Sequence, residues 1–150
     1  MTGAAMPAVT TQGRGLSRTE GTVLVVDDEE GIRNLFLEIF KSERISIRVA
    51  SSGRDALAMV RQMAPTLLIV DVLLPDGDGI TVLEEAQKVD NRIVGAVMTG
   101  AATVDLAVRA LKAGALEFLV KPFQTEVVCA AVRRLLELYR LRSANTVLKH

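Results

Sequence analysis

The sequence predicts an α/β fold in which a doubly wound, five-stranded parallel sheet carries helices on both faces. Five short apolar runs occur along the chain, and each is followed by a segment whose apolar residues have helical spacing. Continuous apolar runs are typical of strands buried on both faces of a parallel sheet. Five strand–helix units in succession imply that helices cover both sides of one sheet. A chain of 150 residues that is 49% hydrophobic suits one domain with a core and is too short for two ordinary ones.

Each element follows from its local pattern. The first strand is predicted at 22–26, and helical spacing begins near residue 30, where apolar residues repeat at intervals of three and four. The later helices are predicted to start near residues 54, 80, 103 and 125, and the fourth is predicted to end near 113. Gly114 then stands where a C-cap glycine belongs. The remaining strands are predicted at 45–49, 66–70, 93–98 and 116–120.

Three regions divide the chain. Residues 1–20 are rich in Gly, Thr, Ala and Ser and lack a hydrophobic period, so we expect a flexible N-terminal tail. Residues 21–142 contain all the strand–helix units and form the predicted domain. Residues 143–150 continue the last helical pattern, and we interpret them as an extension of that helix or the start of a linker.

Composition excludes several classes of function. The 18 basic and 18 acidic side chains give zero net charge, which argues against direct binding to nucleic acid or an anionic membrane. One cysteine and one histidine leave almost no ligands for zinc or blue copper and no internal disulfide. A bound metal is therefore expected to be a hard cation held by carboxylates. Without an apolar leader or a run of roughly 18 apolar residues, we expect a cytoplasmic protein with no membrane segment.

Polar side chains follow four of the five predicted strands. Asp27 and Asp28 follow the first strand, Asp71 the third, Thr99 the fourth and Lys121 the fifth. In open parallel sheets, ligands bind outside the carboxyl ends of the strands. With the common strand order 2-1-3-4-5, these four ends lie side by side and span roughly 14 Å. We therefore expect the five side chains to face one shallow cleft.

This set of side chains suits the chemistry of phosphoryl groups. Three close carboxylates repel one another, and a divalent cation relieves the repulsion. Mg²⁺ fits best because it takes one or two carboxylates and leaves positions for phosphate oxygens. A carboxylate is also a nucleophile toward phosphorus and gives an aspartyl phosphate. Lys121 would supply a point charge and Thr99 a neutral hydroxyl donor near the transferred group.

Taken singly, each of these residues also has an ordinary structural interpretation. The acids at 27–30 could serve only to cap a helix and favour its dipole. Asp71 could be a turn or cap residue, and Lys121 a solvated lysine. The acids and glycines at 76–79 are interpreted as turn chemistry and not as a calcium loop. The functional interpretation depends on all the signals falling at strand ends that the fold brings together.

Three segments resemble the receiver domain of response regulators, the CheY-like family with a flavodoxin-like fold. They are VLVVDDEEGIR at 23–33, LLIVDVLLPDGDGI at 67–80 and VMTGAATVDLAVRALKAGALEFLVKPF at 97–123. The resemblance covers about residues 22–141, and the third segment is most similar to receivers of the NtrC and FixJ type.

The resemblance implies a role for each site residue. Asp71 would be the phosphoacceptor, with Lys121 pairing with the phosphoryl group and Thr99 moving to hydrogen-bond it. Mg²⁺ would be held by Asp28, by Asp71 and by the backbone carbonyl of Leu73, and by Asp27 through water. Phe118 would be the aromatic switch residue, although its side chain has no hydroxyl to fix an inward position. The Lys121–Pro122 peptide bond would be cis.

The same resemblance implies a function in two-component signal transduction. The domain would accept a phosphoryl group from a sensor histidine kinase or a phosphotransfer protein. It would not be an enzyme in the usual sense, since it would catalyse only its own phosphorylation and dephosphorylation. Phosphorylation would switch the surface of the fourth helix, fifth strand and fifth helix, and so control a partner or an output domain in transcription regulation.

Two further expectations concern lifetime and assembly. Leu73 and Ala101 occupy places that influence water access to the phosphoryl group in this family, and because neither side chain can orient water we expect a long-lived phosphoryl state. A homodimer would form either through the fourth helix, fifth strand and fifth helix or through the C-terminal helix. In that helix, Leu138, Leu141, Asn145 and Leu148 have coiled-coil spacing, although two heptads are marginal and a frayed tail fits as well.

Three other functions agree less well with the sequence. A phosphatase of the haloacid-dehalogenase kind would have a D-x-D motif after the first strand, where this chain has adjacent Asp27 and Asp28. A nucleotide- or flavin-binding module would have a glycine-rich loop there, and none follows the strand. A receiver that serves only as an unphosphorylated scaffold would not need the intact set of acids, threonine and lysine.

Overall fold

The computed structural model of the protein describes residues 21–148, with side chains up to residue 142. The predicted tail at 1–20, the last two residues and the side chains of Asn145 and Leu148 lie outside this description. Five parallel strands form the main sheet in the order β2-β1-β3-β6-β7, which is the predicted order of the five main strands. The elements are β1 Gly21–Val26, α1 Glu30–Ile39, β2 Ile45–Ala50, α2 Gly53–Met63, β3 Leu67–Asp71, β4 Leu73–Leu74, β5 Gly77–Asp78, α3 Gly79–Val89, β6 Val94–Thr99, α4 Val104–Lys112, β7 Ala115–Val120 and α5 Thr125–Leu148.

Burial on both faces explains the apolar composition of the central strands. Every side chain of β3 is buried, and in β1 the side chains of 23–26 are fully buried. Successive residues of β1 point to opposite faces, so Leu24 and Val26 join one core while Val23 and Val25 join the other. The first core is covered by α2, α3 and α4, and the second by α1 and α5. The sheet is therefore doubly wound, as predicted.

Three strands end one residue later than the sequence predicts: β2 at Ala50, β3 at Asp71 and β6 at Thr99. Asp71 and Thr99 are the last residues of β3 and β6, because each remains in the ladder of the neighbouring strand. Asp71 pairs with Met98 in register, and Thr99 accepts a hydrogen bond from the Lys121 N–H at 2.8 Å through its carbonyl. Asp71 and Thr99 are therefore held by sheet hydrogen bonds and not by loops.

The segment between β3 and α3 forms a small antiparallel hairpin that the sequence analysis did not predict. Strands β4 and β5 pair across a turn at Pro75 and Asp76, which agrees with the predicted turn chemistry of this segment. Gly77 has a φ of 151°, a conformation that side chains disfavour. Asp78 then caps α3 by accepting a hydrogen bond from the Ile80 N–H at 2.8 Å.

Asp76 fastens this hairpin to a different helix. Its two carboxylate oxygens accept hydrogen bonds from the N–H groups of Gly53 and Arg54, each at 2.9 Å. These N–H groups belong to the first turn of α2, where backbone donors have no partner inside the helix. A Cβ at position 53 would come within 2.9 Å of Val82, so the glycine permits this close approach. The Asp76 clamp thus ties the chain beyond β3 to α2.

Gly79 lets α3 start directly against β3. Its N–H donates to the Val72 carbonyl at 2.8 Å. A Cβ at this position would overlap the Asp71 carbonyl oxygen, so no larger residue fits without moving the end of β3. Within the described residues, no helix is long and apolar enough to span a membrane.

Replacing Asp76 with alanine is expected to lower the melting temperature by a few degrees at pH 7, because two helix N–H groups lose their acceptor. The two N–H donors lower the pKa of Asp76 from its ordinary value of 3.8. The stabilisation is therefore present above that value and is lost as the pH falls through the lowered pKa. Thermal unfolding from pH 7 to pH 2 measures the difference between the two proteins. Glu84→Ala, on the exposed face of α3, is the control, and a difference that does not shrink in acid would contradict this account.

Candidate functional site

The buried polar side chains of the described chain lie together at the carboxyl edge of the sheet. Asp27 is fully buried, Asp71 is 6% exposed and Thr99 is 4% exposed. They stand at the ends of β1, β3 and β6, and Lys121 follows β7 directly. Because buried polar groups cost free energy unless they are paired, their concentration at one edge marks it as the candidate site.

Lys121 joins the acidic side chains. Its Nζ lies 2.8 Å from Asp27 Oδ2, 2.8 Å from Glu29 Oε1 and 2.9 Å from Asp71 Oδ2. Burial of Lys121 works against its charged form, but the three carboxylates outweigh burial and raise the pKa of its ammonium group. Lys121 therefore stays charged at neutral pH. The sequence predicted that Lys121 shares a cleft with the strand-end acids, but it did not predict the contact with Glu29, although Glu29 directly follows the acid pair.

Asp27 is the least compensated group in the site. Its Oδ1 accepts a hydrogen bond from the Glu29 N–H at 2.9 Å. Its Oδ2 lies 2.8 Å from Lys121 Nζ and forms an ion pair with it, outside hydrogen-bond geometry. Burial raises the pKa of Asp27 and the charge of Asp71 adds to this, while Lys121 opposes both. Burial therefore outweighs the contact with Lys121 in setting the pKa of Asp27.

The carboxylates could hold a metal ion. Asp27, Asp28 and Asp71 each offer an oxygen, and these oxygens all lie within 4.8 Å of one another. Two buried carboxylates beside an exposed one, Asp28, are a donor set that suits a hard divalent cation with bound water. The Leu73 N–H donates to Asp71 Oδ1 at 3.2 Å, so the backbone of Leu73 also lies beside the cluster. Glu29, at the N-cap of α1, makes no side-chain cap bond, so its carboxylate does not have the capping role that the sequence also allowed.

The two predicted switch residues lie on neighbouring strands. Thr99 is on β6 and Phe118 on β7, where Phe118 pairs in register with Val97. The Thr99 hydroxyl accepts a hydrogen bond from the Ala101 N–H at 3.1 Å and makes none to Asp71 among the described residues. Phe118 is half-buried and packs against the core beneath α4. The Lys121–Pro122 bond is cis, which confirms that expectation.

Comparison with known proteins identifies the family. The model of the response regulator receiver domain matches residues 23–133. The chain belongs to this family. As a receiver, it is a signalling domain of two-component systems, related to CheY-like and NtrC-type regulators, and it is not a classical enzyme. The family and the fold therefore confirm the resemblance seen in the three sequence segments.

The curated relatives differ in the share of their own length that this receiver matches. It is 32% identical over 120 residues to Regulatory protein AtoC of Escherichia coli strain K12, covering 80% of this chain and 26% of that protein. It is 34% identical over 116 residues to Sporulation initiation phosphotransferase F of Bacillus subtilis strain 168, covering 77% of this chain and 94% of that one. The receiver thus spans about a quarter of AtoC and nearly all of the phosphotransferase.

A solved structure agrees with the fold. The beryllofluoride-activated NtrC4 receiver domain dimer, determined in solution, superposes with a TM-score of 0.75 at 36% identity. The match covers 79% of this chain and 98% of that one.

Replacing Lys121 with methionine is expected to destabilise the receiver by about 2 kcal/mol at pH 7, because carboxylates at the sheet edge lose their common cation. The loss lies below that of a fully buried pair because Glu29 is exposed. The loss of stability shrinks as the pH falls toward the raised pKa of Asp27, since a protonated Asp27 has no charge for the ammonium group to neutralise. Urea unfolding at several pH values without divalent cations measures this. Lys88→Met is the control, since Lys88 is an exposed lysine whose ion pair among the described residues is with Glu85. Equal losses for the two variants would disprove the stabilising role of Lys121.

Proposed function

We propose that Asp71 accepts a phosphoryl group from a sensor histidine kinase or a phosphotransfer protein in a Mg²⁺-dependent reaction. The observation that carries the proposal is the 2.9 Å contact between Lys121 Nζ and Asp71 Oδ2 at a strand end that is flanked by two further acids. A nucleophilic carboxylate, a fixed cation and a place for a divalent ion are the parts that phosphoryl transfer needs.

Each residue of the site has a separate role in the proposed phosphoryl transfer. A carboxylate oxygen of Asp71 forms a bond to phosphorus while the bond from phosphorus to the donor breaks, and the leaving group keeps the electron pair. Lys121 neutralises charge on the transferred oxygens, and Thr99 moves to donate its hydroxyl to one of them. Asp28, Asp71 and the Leu73 carbonyl would hold Mg²⁺, with Asp27 acting through water. Mg²⁺ supplies charge neutralisation at the equatorial oxygens.

Phosphorylation is proposed to act on the surface formed by α4, β7 and α5. A phosphoryl group adds about −1.5 to −2 charges at Asp71, and Thr99 is the neutral donor that can respond. Its inward movement leaves space that Phe118 fills, which changes the surface above β7. Charge-assisted hydrogen bonds of about 1.5–3 kcal/mol each are large enough to select one of two states.

That surface has the composition of an interface. Of the ten exposed large hydrophobic side chains of the described chain, three are on α4, two on β7 and two on α5. A homodimer through this surface is therefore part of the proposal, and the activated NtrC4 receiver is a dimer. The C-terminal helix is the second route, since the backbone of α5 is helical to Leu148. In this proposal, residues 21–142 are the receiver, and residues 143–150 are an extension of its last helix or the start of a linker.

Incubation with Mg²⁺ and a small phosphodonor is expected to add one phosphoryl group to the wild-type protein. The added mass is labile to base, as an acyl phosphate must be. Asp71→Asn is expected to gain no mass, because an amide is not a nucleophile toward phosphorus. Intact-mass spectrometry measures both results, and excess EDTA in place of Mg²⁺ should abolish the gain. Phosphorylation of Asp71→Asn to the wild-type extent would rule out Asp71 as acceptor.

The phosphoryl group is expected to persist well beyond seconds in the purified protein, because neither Leu73 nor Ala101 can orient an attacking water. Leu73 is 78% exposed beside Asp71, so replacing it with asparagine places a water-binding amide there with little effect on packing. We expect Leu73→Asn to shorten the half-life on the order of tenfold. Loss of the added mass with time measures it. Val104→Asn, equally exposed on α4, should leave the half-life unchanged, and a wild-type half-life of seconds would contradict the expectation.

A further inference from the structure

Glu29 contacts the site without being one of its predicted residues. Its Oε1 accepts a hydrogen bond from Lys121 Nζ at 2.8 Å, across 92 positions of sequence. The side chain is 61% exposed, whereas Lys121 is 15% exposed. Glu29 is also the N-cap residue of α1, yet its carboxylate caps no N–H group of that helix. The carboxylate is therefore directed to the lysine and not to its own helix.

Three carboxylates lie within 3 Å of the ammonium group, which donates hydrogen bonds to two of them, Glu29 and Asp71. Asp27 is fully buried at the end of β1 and fixed by the Glu29 N–H. Asp71 is held in the sheet ladder opposite Met98. Glu29 is the exposed member of the three, so water can take its place at low cost. It is the acceptor that can exchange when new oxygens arrive near Lys121.

We propose that Glu29 is a positioning residue that competes with the phosphoryl group of Asp71 for the Lys121 ammonium. This inference depends on the proposed function of Asp71 as phosphoacceptor. In the unphosphorylated protein, Glu29 draws the ammonium toward the solvent side of the site. A phosphoryl group on Asp71 adds anionic oxygens that attract the ammonium group away from Glu29, and the two anions repel each other across one cation. Glu29 therefore slows phosphorylation and shortens the life of the phosphorylated state.

Replacing Glu29 with glutamine removes the charge and keeps the shape. At saturating Mg²⁺, Glu29→Gln is expected to be phosphorylated by phosphoramidate three to ten times faster than the wild type, and its phosphoryl group to last longer. Glu29→Asp keeps the charge but shortens the reach by one methylene, and is expected to lie between the two. Glu30→Gln is the matched control, because Glu30 is the adjacent exposed acid and makes no ion pair among the described residues; its rate should equal that of the wild type.

Two further measurements distinguish a positioning role of Glu29 at Lys121 from a role as a metal ligand. The ¹⁵N-bound protons of the Lys121 ammonium, observed by NMR in the unphosphorylated protein, should exchange with water faster in Glu29→Gln and at the wild-type rate in Glu30→Gln. The affinity for Mg²⁺ alone, measured by calorimetry, should change by less than about threefold. A loss of tenfold or more would make Glu29 a metal ligand and overturn the inference.

The outcomes distinguish this inference from the proposed function. If the wild type gains phosphate on Asp71 but Glu29→Gln has the same rate and the same ammonium exchange, the positioning role is wrong and the phosphoacceptor role remains. If the wild type gains no phosphate at all, the proposed function fails and the inference fails with it. Equal acceleration in Glu30→Gln would show that general surface charge, and not the contact to Lys121, sets the rate.

Discussion

One ammonium group connects carboxylates that come from distant parts of the chain. Lys121 Nζ is within 3 Å of acids at the end of β1, at the start of α1 and at the end of β3. The contact exists because parallel strands end at the same edge and because β1, β3, β6 and β7 are consecutive neighbours in the sheet. The buried cores above and below the sheet fix that order. The site therefore depends on the same packing that makes the fold stable.

The charged residues of the site make the protein less stable than apolar residues at the same edge of the sheet would. Asp27 is fully buried, its Oδ2 contacts Lys121 as an ion pair without a hydrogen bond, and burial raises its pKa, so keeping it ionised costs free energy. An apolar residue there would pack without that cost. The remaining negative charge leaves room for a divalent ion, and a site with every carboxylate already neutralised would attract none. Incomplete compensation is thus the property that suits this edge to bind cations and phosphoryl oxygens.

Much of the site follows from the sequence, because strand ends can be read from apolar runs. Asp27, Asp71 and Lys121 each follow such a run, and the sheet order converts three separate positions into one cleft. Glu29 and Asp76 could not be predicted in the same way. Their contacts depend on which direction an exposed side chain takes toward residues 92 and 23 positions away. The extra residue at the ends of β3 and β6 likewise depends on pairing with a neighbour and not on local hydrophobicity.

The hairpin beyond Asp71 links the site to two helices. Asp76 fastens the hairpin to the first turn of α2, and Asp78, which caps α3, forms an ion pair with Arg109 of α4. Leu73 in the same hairpin donates its N–H to the Asp71 carboxylate. The hairpin is thus attached to α2 through two backbone N–H groups and to α4 through one exposed ion pair. Because an exposed ion pair contributes little free energy, the attachment to α4 is the weaker of the two.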